Sequence, residues 1–114
     1  MKTLIEKIIL DYLNEQLNDP VKMEKPSPLP DRYYLLVKVG SGLTDCIHQA
    51  GLVLLSYAPT LYEAAQMNEL GKAAMFNATM LSEVSKVKLN TDHDNTDTGT
   101  KEHCYRAMFD ITHY

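Results

Sequence analysis

Residues Cys46–Ser82, CIHQAGLVLLSYAPTLYEAAQMNELGKAAMFNATMLS, decide the fold. Cys46–Tyr57 reads as a long strand in which both parities are largely apolar. Ile47, Val53, Leu55 and Tyr57 lie on one side, and Ala50, Leu52 and Leu54 on the other. A strand apolar on both sides is covered on both, by helices or by another subunit. Gly51 interrupts it and marks a bulge or a close backbone approach. After a turn at Ala58-Pro59, Thr60-Leu-Tyr-Glu63 is a capping-box pattern that opens a helix. The helix is expected to reach about Ser82, roughly 33–35 Å at 1.5 Å per residue. Ala64, Gly71 and Ala78 recur every seventh residue and, with Met67, Ala74 and Met75, make a flat seam for a sheet. Tyr62, Leu70, Ala73, Met80 and Leu81 fall elsewhere around the cylinder. That is more apolar surface than one small domain covers, so the first helix or another chain packs beside it.

Outward from this unit, Thr3 and Glu6 form another capping-box pattern. Leu4, Ile5, Ile8, Ile9, Tyr12, Leu13 and Leu17 then recur at helical spacing until Asn18-Asp19-Pro20 ends the run. Lys2, Lys7, Asp11, Asn14 and Glu15 mostly occupy the other side, and Glu6, Asp11 and Glu15 are expected on its wet face. Val21–Lys25 predicts a short strand. Three prolines in Lys25–Pro30 make an extended connector along an edge, since such a run cannot lie inside a sheet. Tyr33–Val39 alternates, with Tyr33, Leu35, Val37 and Val39 opposite Tyr34, Leu36 and Lys38. Gly40–Asp45 is expected as a glycine-rich turn. It lacks the spacing, the Lys-Ser/Thr pair and the following helix of a phosphate loop.

Val84–Leu89 predicts a strand with Val87 and Leu89 on one face, Lys86 and Lys88 on the other. Asn90–Thr100 contains no apolar side chain. Lys101–Tyr114 alternates again, Tyr105, Ala107, Phe109 and Ile111 against Arg106, Asp110 and Thr112. The pair reads as a hairpin with room for its strands to extend into the polar segment. The order α-β-β-β-α-β-β, with short turns between adjacent strands, predicts an α+β fold in a single domain, residues 1–114. Its sheet is antiparallel or mixed, of about five strands, with two helices packed on one face.

A chain of 114 residues, 45% hydrophobic and 23% charged, is large enough for a core without disulfides or metal. A net charge of −4 without a basic cluster argues against nucleic acid as the principal ligand. Cys46 and Cys104, on separate predicted strands without CxxC spacing, are expected as reduced thiols in a cytoplasmic product. Acidic residues in the first helix argue against a signal peptide, and no apolar run approaches the roughly 18 residues of a membrane span.

The densest polar cluster, Asp92-His93-Asp94-Asn95-Thr96-Asp97, lacks the mid-loop glycine and the bidentate glutamate of a calcium loop. It offers a single histidine where structural zinc takes four ligands. His103 and Cys104, adjacent on a strand, point to opposite faces and cannot pair. Cys46 and His48 share a face, but His48 reads as a strand-edge residue. No catalytic constellation, metal site or cofactor site is expected, and two classes of function remain. One is an assembly protein that meets copies of itself and other proteins. The other is a small non-enzymatic module or antitoxin-like regulator that binds a peptide or small ligand on its sheet.

Three stretches carry a resemblance. They are Ser56–Ala65 (SYAPTLYEAA) at the strand–helix junction, Thr96–Lys101 (TDTGTK), and the closing Tyr105–Tyr114 (YRAMFDITHY). With the element order, they are similar to the tail terminator proteins of long-tailed bacteriophages and prophages. That family is also described as tail-completion, head–tail joining or minor capsid proteins. The resemblance implies a structural protein without enzymatic activity. It implies a ring, typically a homohexamer, at the head-proximal end of the tail tube, which stops tube growth and provides a head–tail connector surface. The implied partners are copies of itself, the major tail tube protein and a head-completion or connector protein. The implied location is the virion, after synthesis in the bacterial host cytoplasm. An acidic balance would suit a lumen through which DNA passes without sequence-specific binding. The family brings no ligand residues to carry over, so interface candidates come from the residues themselves. They are Asn90, Thr91, Asp92, His93, Asp94, Asn95, Thr96 and Asp97 of the hairpin, and Tyr62, Leu70, Met80 and Leu81 of the helix. Gly40, Ser41 and Gly42 of the expected turn complete the set, with the Lys25–Pro30 connector beside them.

Overall fold

The computed structural model describes residues 5–24, 30–44, 47–82, 84–94 and 103–113. Thr3, Leu4, the 25–29 part of the proline connector, Cys46 and residues 95–102 lie outside that set. The elements run α1 (Ile5–Gln16), β1 (Val21–Lys22), β2 (Tyr33–Thr44), β3 (Ile47–Ala58), α2 (Leu61–Phe76), a 3₁₀ turn (Asn77–Met80), β4 (Val84–Asp94) and β5 (His103–His113). The five strands form one mixed sheet in the order β1-β2-β3-β5-β4, and both helices lie on the same side of it. The fold is α+β, in the predicted element order.

The register explains the alternation. Tyr34, Leu36 and Lys38 of β2 stand beside Ser56, Leu54 and Leu52 of β3, which stand beside Tyr105, Ala107 and Phe109 of β5. Because side chains alternate with a period of two, this row faces the helices and the intervening residues face the other way. The core is built between the row and the helices from Ile9, Leu13, Leu36, Leu52, Leu54, Met67, Met75, Phe109 and Ile111, all fully buried. Two phenols tie α2 to its neighbours, one from the sheet and one from α1. Tyr34 donates a hydrogen bond of 2.8 Å to the Met67 carbonyl, and Tyr12 donates one of 2.8 Å to the Ala74 carbonyl.

The seam on α2 is the one read from spacing: Ala64, Met67, Gly71, Ala74, Met75 and Ala78 are all buried. At Gly71 the close approach is extreme. A Cβ there would lie 2.7 Å from Leu54 Cδ2 and 3.4 Å from Tyr34 Cε1. Thr60 caps the helix, accepting a 3.2 Å hydrogen bond from the Glu63 amide, while its hydroxyl lies 3.3 Å from the Glu63 carboxylate.

Four expectations are corrected. The helix stops at Phe76 rather than Ser82 and tightens into the 3₁₀ turn. There the Thr79 hydroxyl donates to the Phe76 carbonyl (3.3 Å), a backbone competition typical of Thr. Gly40, Ser41 and Gly42 are not a turn. β2 continues through them to Thr44, paired with β3, after a register shift between Lys38 and Gly40. Gly40 stands opposite Gly51, so ladder hydrogen bonds prevail where weak strand propensity predicts a break. Glu6 is not on the wet face. It is 8% exposed, and its Oε1 lies 3.3 Å from Lys38 Nζ, because strand alternation brings that lysine under α1. Finally, β1 is only two residues long, Val21–Lys22, rather than reaching Lys25. β4 extends through Asn90–Asp94 into the polar segment, as the hairpin reading allows.

Candidate interaction surface

The helix-free face of the sheet carries Tyr33, Leu35, Val37 and Val39 of β2, Val53, Leu55 and Tyr57 of β3, and Cys104, Arg106, Met108 and Asp110 of β5. At one end this face is closed. Tyr33 and Tyr57 stack with ring centroids 4.8 Å apart, and Val53, Leu35 and Cys104 are buried. At the other end it opens. Val37 and Val39 are exposed, Val39 to 48%, beside a cleft of about 550 Å³ lined by Gln49, Gly51, Met108, Asp110, Lys86 and Lys88 among others. Lys86 and Lys88 extend from β4 opposite Thr112 and Asp110 and form no ion pair among the described residues. Asp110 is engaged by Asn90, whose Nδ2 donates to it at 3.0 Å. None of the apolar residues of this face is among the interface candidates read from the sequence. Its signal was present in the apolar odd positions of β2 and β3 and the lysine alternation of β4.

The outer side of α2 is the second surface. Tyr62 is 73% exposed, Leu70 55% and the nearby Met80 83%, as expected of surplus apolar positions. Leu81 departs from that expectation. It is half-buried and packs against the core, because the 3₁₀ turn bends the chain back toward β4. Phe76, absent from the predicted set, is exposed on one side and meets Phe109 edge-on at 6.0 Å. Acidic groups accompany the stripe. The Glu69 side chain is 71% exposed and shares Lys72, at 2.9 Å, with Asp92 at 2.7 Å. One ammonium between two carboxylates leaves a net negative charge there. Those two hydrogen bonds, Asp92 first, raise the Lys72 pKa, with burial opposing.

The polar hairpin positions separate. Asp92 is tied to α2 through Lys72 and receives a 3.4 Å hydrogen bond from Asn68, so it holds the sheet edge to the helix. Thr91 and Asp94 are exposed, and the backbones of His93 and Asp94 pair with Arg106 and Tyr105. Asn95, Thr96 and Asp97 fall outside the described residues. The backbone of Gly40–Gly42 pairs with 49–51 in the ladder beside the cleft.

For chemistry the described residues offer little. No group of three His, Cys, Asp or Glu among them is placed to hold a metal ion. The Ser56 hydroxyl and His103 Nδ1 are buried without a hydrogen-bond partner, so they do not form a nucleophile–base pair with one another. No described helix is long and apolar enough to cross a membrane. The molecule is thus a small α+β protein with a helix-free sheet face and an apolar, acidic helix exterior. No protein-family model and no curated protein matches the chain.

Proposed function

We propose that this chain is a structural protein of a bacteriophage or prophage tail, a terminator that forms a ring at the head-proximal end of the tail tube. The observation that carries the reading is the paired surplus of apolar surface, Val37 and Val39 on the sheet and Tyr62, Leu70 and Met80 on α2. A lone monomer leaves both in water, and repeated self-contact covers them. The resemblance at Ser56–Ala65 and Tyr105–Tyr114 supports the same reading. On it, the ring caps the major tail tube protein on one side and meets a head-completion protein on the other. DNA passes through its lumen unread, and the ring acts by shape, without catalysis. The net charge of −4 favours such passage.

One observation favours a second reading. The cleft of about 550 Å³ on the helix-free face has the size of a small-ligand site, which a compact non-enzymatic binding module or regulator would use. Light scattering on the purified protein, with and without isolated tail tubes, separates the two. The terminator reading expects tube-bound rings and, on deletion of the gene, tails of uncontrolled length or without heads. A protein that stays monomeric and ignores tubes, or phage with normally capped tails after deletion, overturns it and leaves the binding module.

A further inference from the structure

We infer that the helix-free sheet face of one copy receives the outer side of α2 of a second copy, and that this head-to-tail contact is the chain's self-assembly interface. The inference rests on the self-assembling part of the reading above and names the two surfaces that meet. Each is apolar, and they carry opposite charge. Among the described residues, the sheet face presents Val37, Val39 and Met108 with the ammonium groups of Lys86 and Lys88, which form no ion pair there, and with the Asp110 carboxylate, which Asn90 already engages. The helix presents Tyr62, Leu70 and Met80 with Glu63 and Glu69, its Lys72 being largely buried and drawn toward Asp92.

Glu63 and Glu69 are about 9 Å apart along the helix axis and about 120° apart around it, so they flank the Tyr62–Leu70 stripe on its two sides. Lys86 and Lys88, about 7 Å apart along their strand, carry side chains long enough for each to reach one flank. The cleft beside Val39 has room for several of the helix's apolar side chains. Because the two surfaces differ, each copy offers one to each neighbour. Such contacts are heterologous and propagate until rotation closes them into a ring. A two-fold dimer would need both surfaces within one patch, and here the helix-free face and the outer side of α2 lie on opposite sides of the sheet.

Charge reversal tests the contact. K86E/K88E makes both surfaces acidic, and E63K/E69K makes both basic. Each variant, checked for its fold by circular dichroism, is expected to self-associate roughly tenfold or more weakly than wild type in sedimentation velocity. Mixing the two variants restores association, since every sheet face then meets an oppositely charged helix. On the wild-type protein, carbodiimide coupling followed by mass spectrometry is expected to join Lys86 or Lys88 of one copy to Glu63 or Glu69 of an isotopically labelled other. The inference falls if wild type stays monomeric at the highest attainable concentration. It falls equally if either reversal leaves association unchanged, if mixing restores nothing, or if cross-links form only within single copies. Mixing is read without tubes, so a failed complementation overturns this contact and leaves tube capping to its own assay.

Discussion

The Asn14 carboxamide is paired with the backbone of Val21 as a strand neighbour would be. Its Nδ2 donates to the Val21 carbonyl at 3.0 Å, and its Oδ1 accepts from the Val21 amide at 3.0 Å. The same Nδ2 lies 3.1 Å from the Leu10 carbonyl within α1. The side chain thus fixes the start of the short β1 against the helix that precedes it. Asn14→Ala leaves a buried residue's backbone groups without these partners and is expected to lower stability by about 1–2 kcal/mol in urea unfolding. Asn14→Asp, which loses the donor, is expected to recover little of it.

Gly71 decides how closely α2 lies on the sheet. In an exposed helix Gly→Ala stabilises by about 1 kcal/mol. Here the added methyl meets the end of the Leu54 side chain, which is 1% exposed within the packed core and must shift to admit it. Overpacking costs of about 1–3 kcal/mol outweigh the gain, so Gly71→Ala is expected to destabilise. Gly71→Ala with Leu54→Val is expected to cost less than the sum of the two single changes, a coupling read in a double-mutant cycle.

Tyr34 and Tyr12 make the protein sensitive to alkali. Burial raises the pKa of both phenols; at Tyr34 the Asp19 charge adds to the shift and Arg32 opposes it. A phenol held neutral in the fold but free to ionise when unfolded contributes stability that is intact below about pH 10. That contribution is lost as pH rises toward the folded-state pKa. Thermal melts are therefore expected to fall steeply above about pH 10. Tyr34→Phe is expected to lower stability by about 1 kcal/mol at neutral pH and to flatten that alkaline fall.

Asp92 and its neighbour Thr91 are expected to behave differently. Asp92 accepts from Lys72 and Asn68 across the sheet–helix boundary, whereas Thr91 is exposed on the edge strand. Asp92→Ala is expected to cost about 1 kcal/mol. Thr91→Ala is expected to stay within about 0.5 kcal/mol. Equal effects in chemical denaturation would contradict the placement of Asp92 as a tether.

Tyr62 and Met80 separate stability from assembly. At 73% and 83% exposure they contribute little to the monomer's core. Tyr62→Ser and Met80→Ser are expected to change unfolding free energy by less than about 0.5 kcal/mol each. Self-association measured by light scattering is expected to weaken in both.

Much of this architecture is legible from spacing alone. The Ala64–Gly71–Ala78 seam and the odd–even alternation of β2, β3 and β5 follow from the helical and strand periods. Those periods fix which side chains share a face. What spacing does not reveal is how elements meet. Glu6 looks solvated until Lys38 is carried beneath it by a strand 32 residues further along the chain. Gly40–Gly42 looks like a turn because isolated glycines favour one, and only pairing with 49–51 makes them strand. Of the candidate surface, Tyr62, Leu70 and Met80 were readable as excess. The cleft beside Val39 was not, because it joins residues of four different strands.

The place of β5 in the sheet has a consequence for biosynthesis. It is the last of the five strands in the chain, yet it lies between β3 and β4 and is hydrogen-bonded to both. Until the ribosome has delivered it, β3 keeps one backbone edge unpaired and β4 has no strand to pair with, although α2 can already lie over Leu52 and Leu54. Closing the sheet is therefore left to the last strand made, a pairing of high sequence separation of the kind that slows folding.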